Sequence, residues 1–291
     1  MPELILRDLV IKKLKESDYN YRFLLRSKSH SYFVKDYIAS LNDDVNILEN
    51  NVFEVNIDIK NYNEIIFTET YHGSMRISRQ FDAISALASS PNAPKAWLLV
   101  TVYYHSFFCA NLIARLLGRY SCYFAKEQIS SIISSADNPD RYHLDHGNYV
   151  GHYISINNNS VKLKFRNEGD RPHHTAWKNL CDKFTLNQEI VDPDRLNRIK
   201  LFKDIINTGS NRWPVPSEVR NKWNYSDVLL FSKTGDNIAK EFCSMLEQRK
   251  DISWASNRRI QPDHKNIVAS VAYVSSTLNR SIDVIKNKIL Q

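Results

Sequence analysis

The stretch with the clearest chemical potential is VPSEVRNKWNYSD, residues 215–227. It places Arg220, Asn221 and Tyr225 in one short run that follows two prolines. If residues 218–231 form a helix, side chains four positions apart share a face, so Asn221 and Tyr225 are neighbours. A guanidinium beside an amide near a helix start can bind a phosphate group. The guanidinium fork matches phosphate oxygens, and the helix N-terminus adds partial positive charge.

The same stretch also fits an ordinary amphipathic helix. Val219 and Trp223 are four positions apart and form an apolar pair that can pack in the core. Arg220 would then pair with a nearby acid, either Glu218 or Asp227, and the amides would lie on the surface. These residues alone leave both interpretations open.

A long aromatic helix precedes this stretch and would help to position it. Pro94 suits the first turn of a helix that begins near residue 95 and stops at Gly118. Residues 96–114 contain no Lys, Arg, Asp or Glu and approach the length of a membrane span. Polar residues interrupt the run, so a buried central helix is favoured. His105 on this helix is expected to be a hydrogen-bonded core residue, with a pocket-lining role as the alternative.

The long aromatic helix and the later helix that begins with Arg220 and Asn221 together resemble the HEPN superfamily of small helical bundles. In that family the arginine is followed by a polar residue and, four to six positions on, by a histidine. Here the positions for the histidine are 224–227, and none of them is histidine. The resemblance covers about residues 92–120 and 214–290.

The resemblance implies a metal-independent ribonuclease of a defence, toxin–antitoxin or RNA-processing system that works as a dimer. The arginine would clamp the scissile phosphate, Asn221 would orient it, and Tyr225 would be a weak acid or hydrogen-bond donor. A tyrosine is a poor base at neutral pH because its pKa is about 10. Three alternatives follow: Tyr225 has a role other than that of a base, a histidine from another part of the chain takes that role, or the protein is a non-catalytic member.

A group of histidines offers two further roles. Its members are His143, His146, His152, His173 and His174. The HLDH sequence at residues 143–146 could hold a metal together with Asp140 or Asp145. Glycines at 147 and 151 argue for a loop there. One of these histidines could alternatively be borrowed for acid–base work.

The charge of the chain favours a nucleic-acid partner. Its 291 residues carry a net charge of +7, and such a surface attracts phosphate backbones or acidic partners. Lys12, Lys13, Arg258 and Arg259, the last two beside Trp254, could form a phosphate-binding surface, or they could simply be solvated. RNA is expected rather than DNA.

Cysteine placement indicates a reducing compartment. Four cysteines lie among apolar or aromatic neighbours without a CxxC pair, which is typical of buried free thiols. The N-terminus lacks the pattern of a signal peptide, so a cytoplasmic protein without a membrane span is expected. The sequence contains no GxGxxG, Walker-A, HExxH, GxSxG or zinc-finger motif, and we expect no cofactor and no metal.

Hydrophobic periodicity predicts a mainly α fold with minor β (α+β). VFEVNIDI and EIIFTETY are typical of strands, and GHYISINNNSVKLKF is typical of a hairpin. Only 7 glycines occur, which favours helices over a β-sandwich. We expect a small β-containing N-terminal region over 1–90 and a HEPN-like helical bundle over 91–291, with a β-hairpin insertion at about 120–213.

The leading functional hypothesis is an RNA-directed HEPN-like protein that acts as a metal-independent endoribonuclease of a prokaryotic antiviral-defence or toxin-like system. The alternative is a non-catalytic subunit that binds protein or nucleic acid within a larger complex. A metal-dependent enzyme built on the loop from His143 to His152 is a third possibility. The first hypothesis implies a homodimer or a protein complex.

Overall fold

The structure is a computed structural model, and it confirms the predicted fold class. The described residues are 1–17, 33–40, 44–90, 93, 95–157, 159–169, 171–185, 192–210, 212–225, 232–247, 250–257 and 260–289. Helix accounts for 66% and strand for 16% of the structure, so the protein is mainly α with a small antiparallel sheet.

Eleven helices and five strands occur in the described part of the chain. The helices are α1 (Pro2–Glu16), α2 (Val34–Ser40), α3 (Ile59–Ser89), α4 (Lys95–Leu116), α5 (Lys126–Ser134), α6 (Pro172–Lys183), α7 (Pro193–Ile206), α8 (Pro216–Tyr225), α9 (Lys233–Glu247), α10 (Lys250–Ser256) and α11 (His264–Ile289). The strands are β1 (Val45–Glu49), β2 (Val52–Asp58), β3 (Arg119–Phe124), β4 (Gly147–Asn157) and β5 (Ser160–Asn167).

The five strands form one antiparallel sheet in the order β1-β2-β5-β4-β3. The predicted hairpin is confirmed, since Asn157 of β4 pairs with Ser160 of β5. Across the neighbouring pair, the rings of Phe53 and Phe165 stack with centroids 5.2 Å apart. The sheet joins strands from both sides of residue 90, and the division of the chain into two regions there stays a prediction.

The prediction of a strand at EIIFTETY, residues 64–71, is wrong, because this segment lies inside the long helix α3. Asp58 caps that helix by accepting a hydrogen bond from the Lys60 amide at 2.8 Å. Ile65, Ile66 and Glu69 are all buried, which is the spacing of a helix face rather than of a strand. The helical periodicity of burial therefore overrides the β-propensity of the side chains.

Helix α4 is central in the fold, as predicted. It packs against α3, α6, α8, α9 and α11 and against β3. Its segment Trp97–Leu116 is long and apolar enough to cross a membrane, and 67% of that apolar window is buried inside the protein. The chain turns at Gly118, whose φ of 74° is a conformation that glycine adopts without strain.

His105 lies in the core on the inner face of α4, which confirms the prediction. Its Nδ1 is 2.9 Å from the Ser275 hydroxyl, and its Nε2 is 3.1 Å from Asn279 Oδ1. The side chain is fully buried. Burial lowers the pKa of His105 to about 4, so the ring is neutral at pH 7.

Helix α8 begins slightly earlier than the sequence suggests. The sequence suggests a helix from residue 218, whereas the helix begins at Pro216. The Glu218 carboxylate accepts a hydrogen bond from the Val215 amide at 3.1 Å, which satisfies the start of the helix. The predicted apolar pair Val219 and Trp223 is buried in a core cluster with residues of α4, α9 and α11.

A candidate phosphate-binding site between helices α4, α6 and α8

Arg220 extends from α8 toward α4, and its hydrogen-bond partners among the described residues are neutral. Its Nη1 donates to Asn221 Oδ1 at 2.8 Å, and its Nη2 donates to the Tyr104 hydroxyl. The acid suggested by the sequence, Glu218, is occupied by the start of its own helix, and Asp227 lies outside the described residues. No ion pair of Arg220 is found within the part of the chain that the structure describes. Its positive charge is therefore not neutralised there.

Two tyrosines of α4 hold the guanidinium in place. The Arg220 Cζ atom lies 6.0 Å from the ring centroid of Tyr103 and 5.3 Å from that of Tyr104. Cation–π attraction and the hydrogen bond to Tyr104 fix the orientation of the guanidinium. Its Nε is buried and has no hydrogen-bond partner among the described residues. Arg220 is half-buried and its Nη atoms have neutral partners, so its charge is available to an anion.

His173 reaches the same two tyrosines from the start of α6. Its Nδ1 lies 2.8 Å from the Tyr103 hydroxyl, and its ring centroid is 5.9 Å from that of Tyr104. The ring also packs against Phe107, with centroids 4.5 Å apart. The pKa of His173 is lowered mainly by burial and, to a smaller extent, by the positive charge of Arg220. The imidazole is therefore neutral at pH 7.

This arrangement joins a charged donor and a neutral base. Because Tyr103 engages Nδ1, the Nε2 of His173 is the nitrogen left for a substrate, and it has no hydrogen-bond partner among the described residues. When Nδ1 carries the proton, Nε2 can accept one from a bound hydroxyl. Burial raises the pKa of the Tyr103 hydroxyl, which stays protonated and orients the imidazole.

The three catalytic residues proposed from the sequence occupy different settings. Asn221 contacts Arg220, as the expected pairing required. Tyr225 is 77% exposed at the end of α8. No hydrogen bond or ring contact joins Tyr225 to Arg220 in the described part of the chain, so its catalytic role stays a prediction.

The proposed basic surface is only partly described. Lys12 is exposed on α1, whereas Lys13 is half-buried, with Nζ 3.1 Å from the ring centroid of Tyr153. Lys13 also pairs with Glu16 at 3.5 Å, and burial lowers its pKa. Lys13 is thus packed against the sheet. Arg258 and Arg259 lie outside the described residues.

Among the described residues, the histidines of the HLDH loop make no contact with Arg220 or Tyr104. Residues 137–146 form a loop, in which His143 Nε2 lies 3.7 Å from Asp145 Oδ2. Among the described residues, no group of three or more His, Cys, Asp or Glu side chains is placed to hold a metal ion. All four cysteines are free, as predicted, and two of them, Cys109 and Cys122, are buried.

Sequence reasoning did not link Tyr104 with Arg220, and it named His173 only as one of five histidines that could supply acid–base chemistry. Tyr104 lies in the aromatic helix, and His173 is one of the two adjacent histidines at 173–174. Yet 116 positions separate Tyr104 from Arg220, and 70 separate Tyr103 from His173. No spacing rule links residues over such distances.

Comparison with known proteins adds no assignment: no protein-family model, no curated protein and no solved structure matches this chain.

Proposed function

We propose that the protein is a metal-independent endoribonuclease whose active site lies between α4, α6 and α8. The observation that carries this proposal is the meeting of Arg220, which has no ion pair among the described residues, and a neutral His173 on the same pair of tyrosines. A guanidinium binds the non-bridging oxygens of a phosphodiester and stabilises the charge that develops on them. The neutral imidazole supplies the base.

RNA provides a nucleophile that suits this pair of groups. Nε2 of His173 removes the proton of the ribose 2′-hydroxyl, and the 2′-oxygen attacks the adjacent phosphorus held by Arg220. The bond between phosphorus and the 5′-oxygen breaks, and that oxygen takes a proton from solvent. The products are a 2′,3′-cyclic phosphate and a 5′-hydroxyl end. DNA lacks the 2′-hydroxyl and is not cleaved by this route.

The resemblance to the HEPN superfamily supports the same chemistry and extends the proposal. In this protein α6 would supply the histidine that the family places on the helix of the arginine. On this basis we place the enzyme in a prokaryotic antiviral-defence or toxin–antitoxin system of the cytoplasm, acting as a homodimer. The net charge of +7 is consistent with an RNA substrate.

The decisive experiment compares RNA cleavage by the wild type, Arg220→Ala and Lys222→Ala in the presence of EDTA. Lys222 is an exposed cation on the same helix and makes a matched control for the loss of charge. We expect cleavage to fall about 100- to 1000-fold in Arg220→Ala, as for the loss of a donor to a developing oxyanion. Lys222→Ala should cleave at nearly the wild-type rate. Thermal unfolding checks that each variant is folded.

Two results would contradict this function. Wild-type protein that is folded and cleaves no RNA would favour the non-catalytic subunit, whose binding would weaken as salt rises. Equal cleavage by Arg220→Ala and Lys222→Ala would move the active site away from α8.

A further inference from the structure

A cavity of about 500 Å³ opens beside the candidate active site. Its walls come from α2, α3, α4 and β3, together with Pro172 at the start of α6. Cavities of this size commonly hold small ligands or single units of larger ones. Aromatic rings and cations line much of the wall, among them Phe33, His72, Phe107, Phe108, Lys35 and Arg76.

The cavity carries excess positive charge. The Arg115 guanidinium is neutralised by Glu69, a buried acid that also accepts a hydrogen bond from the Val34 amide. Arg76 is exposed and makes no ion pair or hydrogen bond within the described residues. Within the described part of the chain, the one acid paired with Lys35 is Asp36, at 4.0 Å. Among the described residues that line the cavity, Glu69 is the only acid, so an anion is the favoured occupant.

Aromatic rings connect this cavity to the site around Arg220. Phe107 lines the cavity and packs on His173, with ring centroids 4.5 Å apart. Phe108 also lines the cavity, and its ring lies 6.3 Å from that of Tyr104. Tyr104 and Phe108 are one helical turn apart, about 6 Å along α4. A strand whose phosphate rests on Arg220 therefore reaches the cavity with its next nucleotide.

Arg76 and Phe108 offer what such a nucleotide requires. The Arg76 Cζ atom lies over the Phe108 ring, 5.3 Å from its centroid. A guanidinium that can bind phosphate therefore lies next to an aromatic ring. Proteins that bind single-stranded nucleic acid combine cations for the backbone with aromatic side chains on which bases stack. The Phe33 and His72 rings, 5.9 Å apart, add a second aromatic surface to the cavity.

We infer that this cavity binds the nucleotide adjacent to the scissile phosphate of a single-stranded RNA. Arg76 and Lys35 contact its phosphate, and the base stacks on the aromatic lining. This inference rests on the proposed ribonuclease function for the identity of the strand. Binding of the nucleotide can nevertheless be measured without any cleavage.

The test uses a short, labelled, mixed-sequence RNA in which every ribose is 2′-O-methylated, which blocks the nucleophile. Binding is measured by fluorescence anisotropy for the wild type, Arg76→Gln and Phe108→Leu. Lys60→Gln is the matched control, because Lys60 is an exposed cation sixteen positions earlier on α3, about 24 Å away. Thermal unfolding confirms that the variants are folded.

We expect Arg76→Gln and Phe108→Leu each to weaken binding about tenfold, consistent with the loss of one charged hydrogen bond or one stacked base. Arg76→Gln should also reduce the slope of log affinity against log salt by about one, since one phosphate contact is lost. Phe108→Leu should leave that slope unchanged. Lys60→Gln should bind as the wild type does.

The possible outcomes distinguish nucleotide binding in the cavity from the proposed ribonuclease activity. If Arg76→Gln and Phe108→Leu both bind as Lys60→Gln does, the inference is wrong even when the wild type cleaves RNA. If both variants weaken binding but the wild type never cleaves, the nucleotide site stands and the ribonuclease proposal fails. If adenosine or uridine monophosphate binds through Arg76 while oligonucleotide binding is unaffected, the cavity serves a free nucleotide, and the inference is overturned.

Discussion

Two histidines on opposite faces of α4 have nearly opposite environments. His105 is fully buried on the inner face, and both ring nitrogens have neutral partners. His173 lies against the outer face, half-buried, with one nitrogen held by Tyr103 and Arg220 close by. Both are neutral at pH 7, but only His173 has a nitrogen available to a substrate.

Under the proposed function, a lowered pKa would not by itself distinguish His173 from His105. Desolvation lowers the pKa of His105 and of His173 alike. His173 differs in having beside it the Arg220 guanidinium, which makes no ion pair in the described part of the chain, and in packing on Phe107, which lines the cavity. Chemical competence therefore depends on access and on neighbouring charge, and these follow from helix packing.

The largest expected effect that separates the two histidines is on catalysis. His173→Gln should reduce RNA cleavage about 100- to 10,000-fold, the usual contribution of a positioned general base. Stability should change little, because His173 is only half-buried. The measurement is the single-turnover cleavage rate together with the thermal midpoint. His174→Gln, at the adjacent position of α6, is the control and should retain activity; equal losses in both variants would refute the role of His173.

A smaller effect concerns the pH dependence of stability at His105. The folded pKa of about 4 lies below the ordinary value of 6.5. As the pH falls, the unfolded state therefore takes up the proton first, and stability is lost. From this residue the free energy of unfolding should drop by about 3 kcal/mol between pH 7 and pH 4.

Urea unfolding at the two pH values measures this loss in the wild type and in His105→Gln. The variant should lose less stability, because its amide does not titrate. Asp283, whose pKa is raised by burial, contacts Asn279 but is present in both proteins, so its contribution cancels in the difference. The same pH dependence in both proteins would show that His105 does not titrate as described.

The smallest effect is a shift in the pKa of His173 when the charge of Arg220 is removed. In Arg220→Gln the pKa of His173 should rise, because a neighbouring positive charge no longer opposes protonation. NMR titration of the imidazole Cε1–H resonance measures this directly. The pKa of His105 should stay the same and serves as the internal control. An unchanged pKa at His173 would mean that the two groups do not interact.

Prediction from the sequence succeeded where local rules decide the structure. The helix predicted to stop at Gly118 ends at Leu116, and Gly118 turns the chain with a positive φ. It failed at residues 64–71, where β-branched side chains suggested a strand. There the packing of α3 against its neighbours determines the helical structure, and the β-propensity of the side chains has a weaker influence.

The candidate site divides in the same way. Local spacing is enough to predict that Arg220 and Asn221 are adjacent at a helix start, that α4 is apolar enough to be buried, and that the cysteines form no CxxC pair. The structure adds that Glu218 binds the start of its own helix. Two further contacts depend on the packing of distant segments: Tyr104 accepts a hydrogen bond from Arg220, and α6 places His173 against the same tyrosines. The physical reason is the separation along the sequence over which each kind of interaction acts. Side-chain spacing rules act over one or two helical turns, whereas contacts across 70 and 116 positions follow from how apolar helix faces pack together.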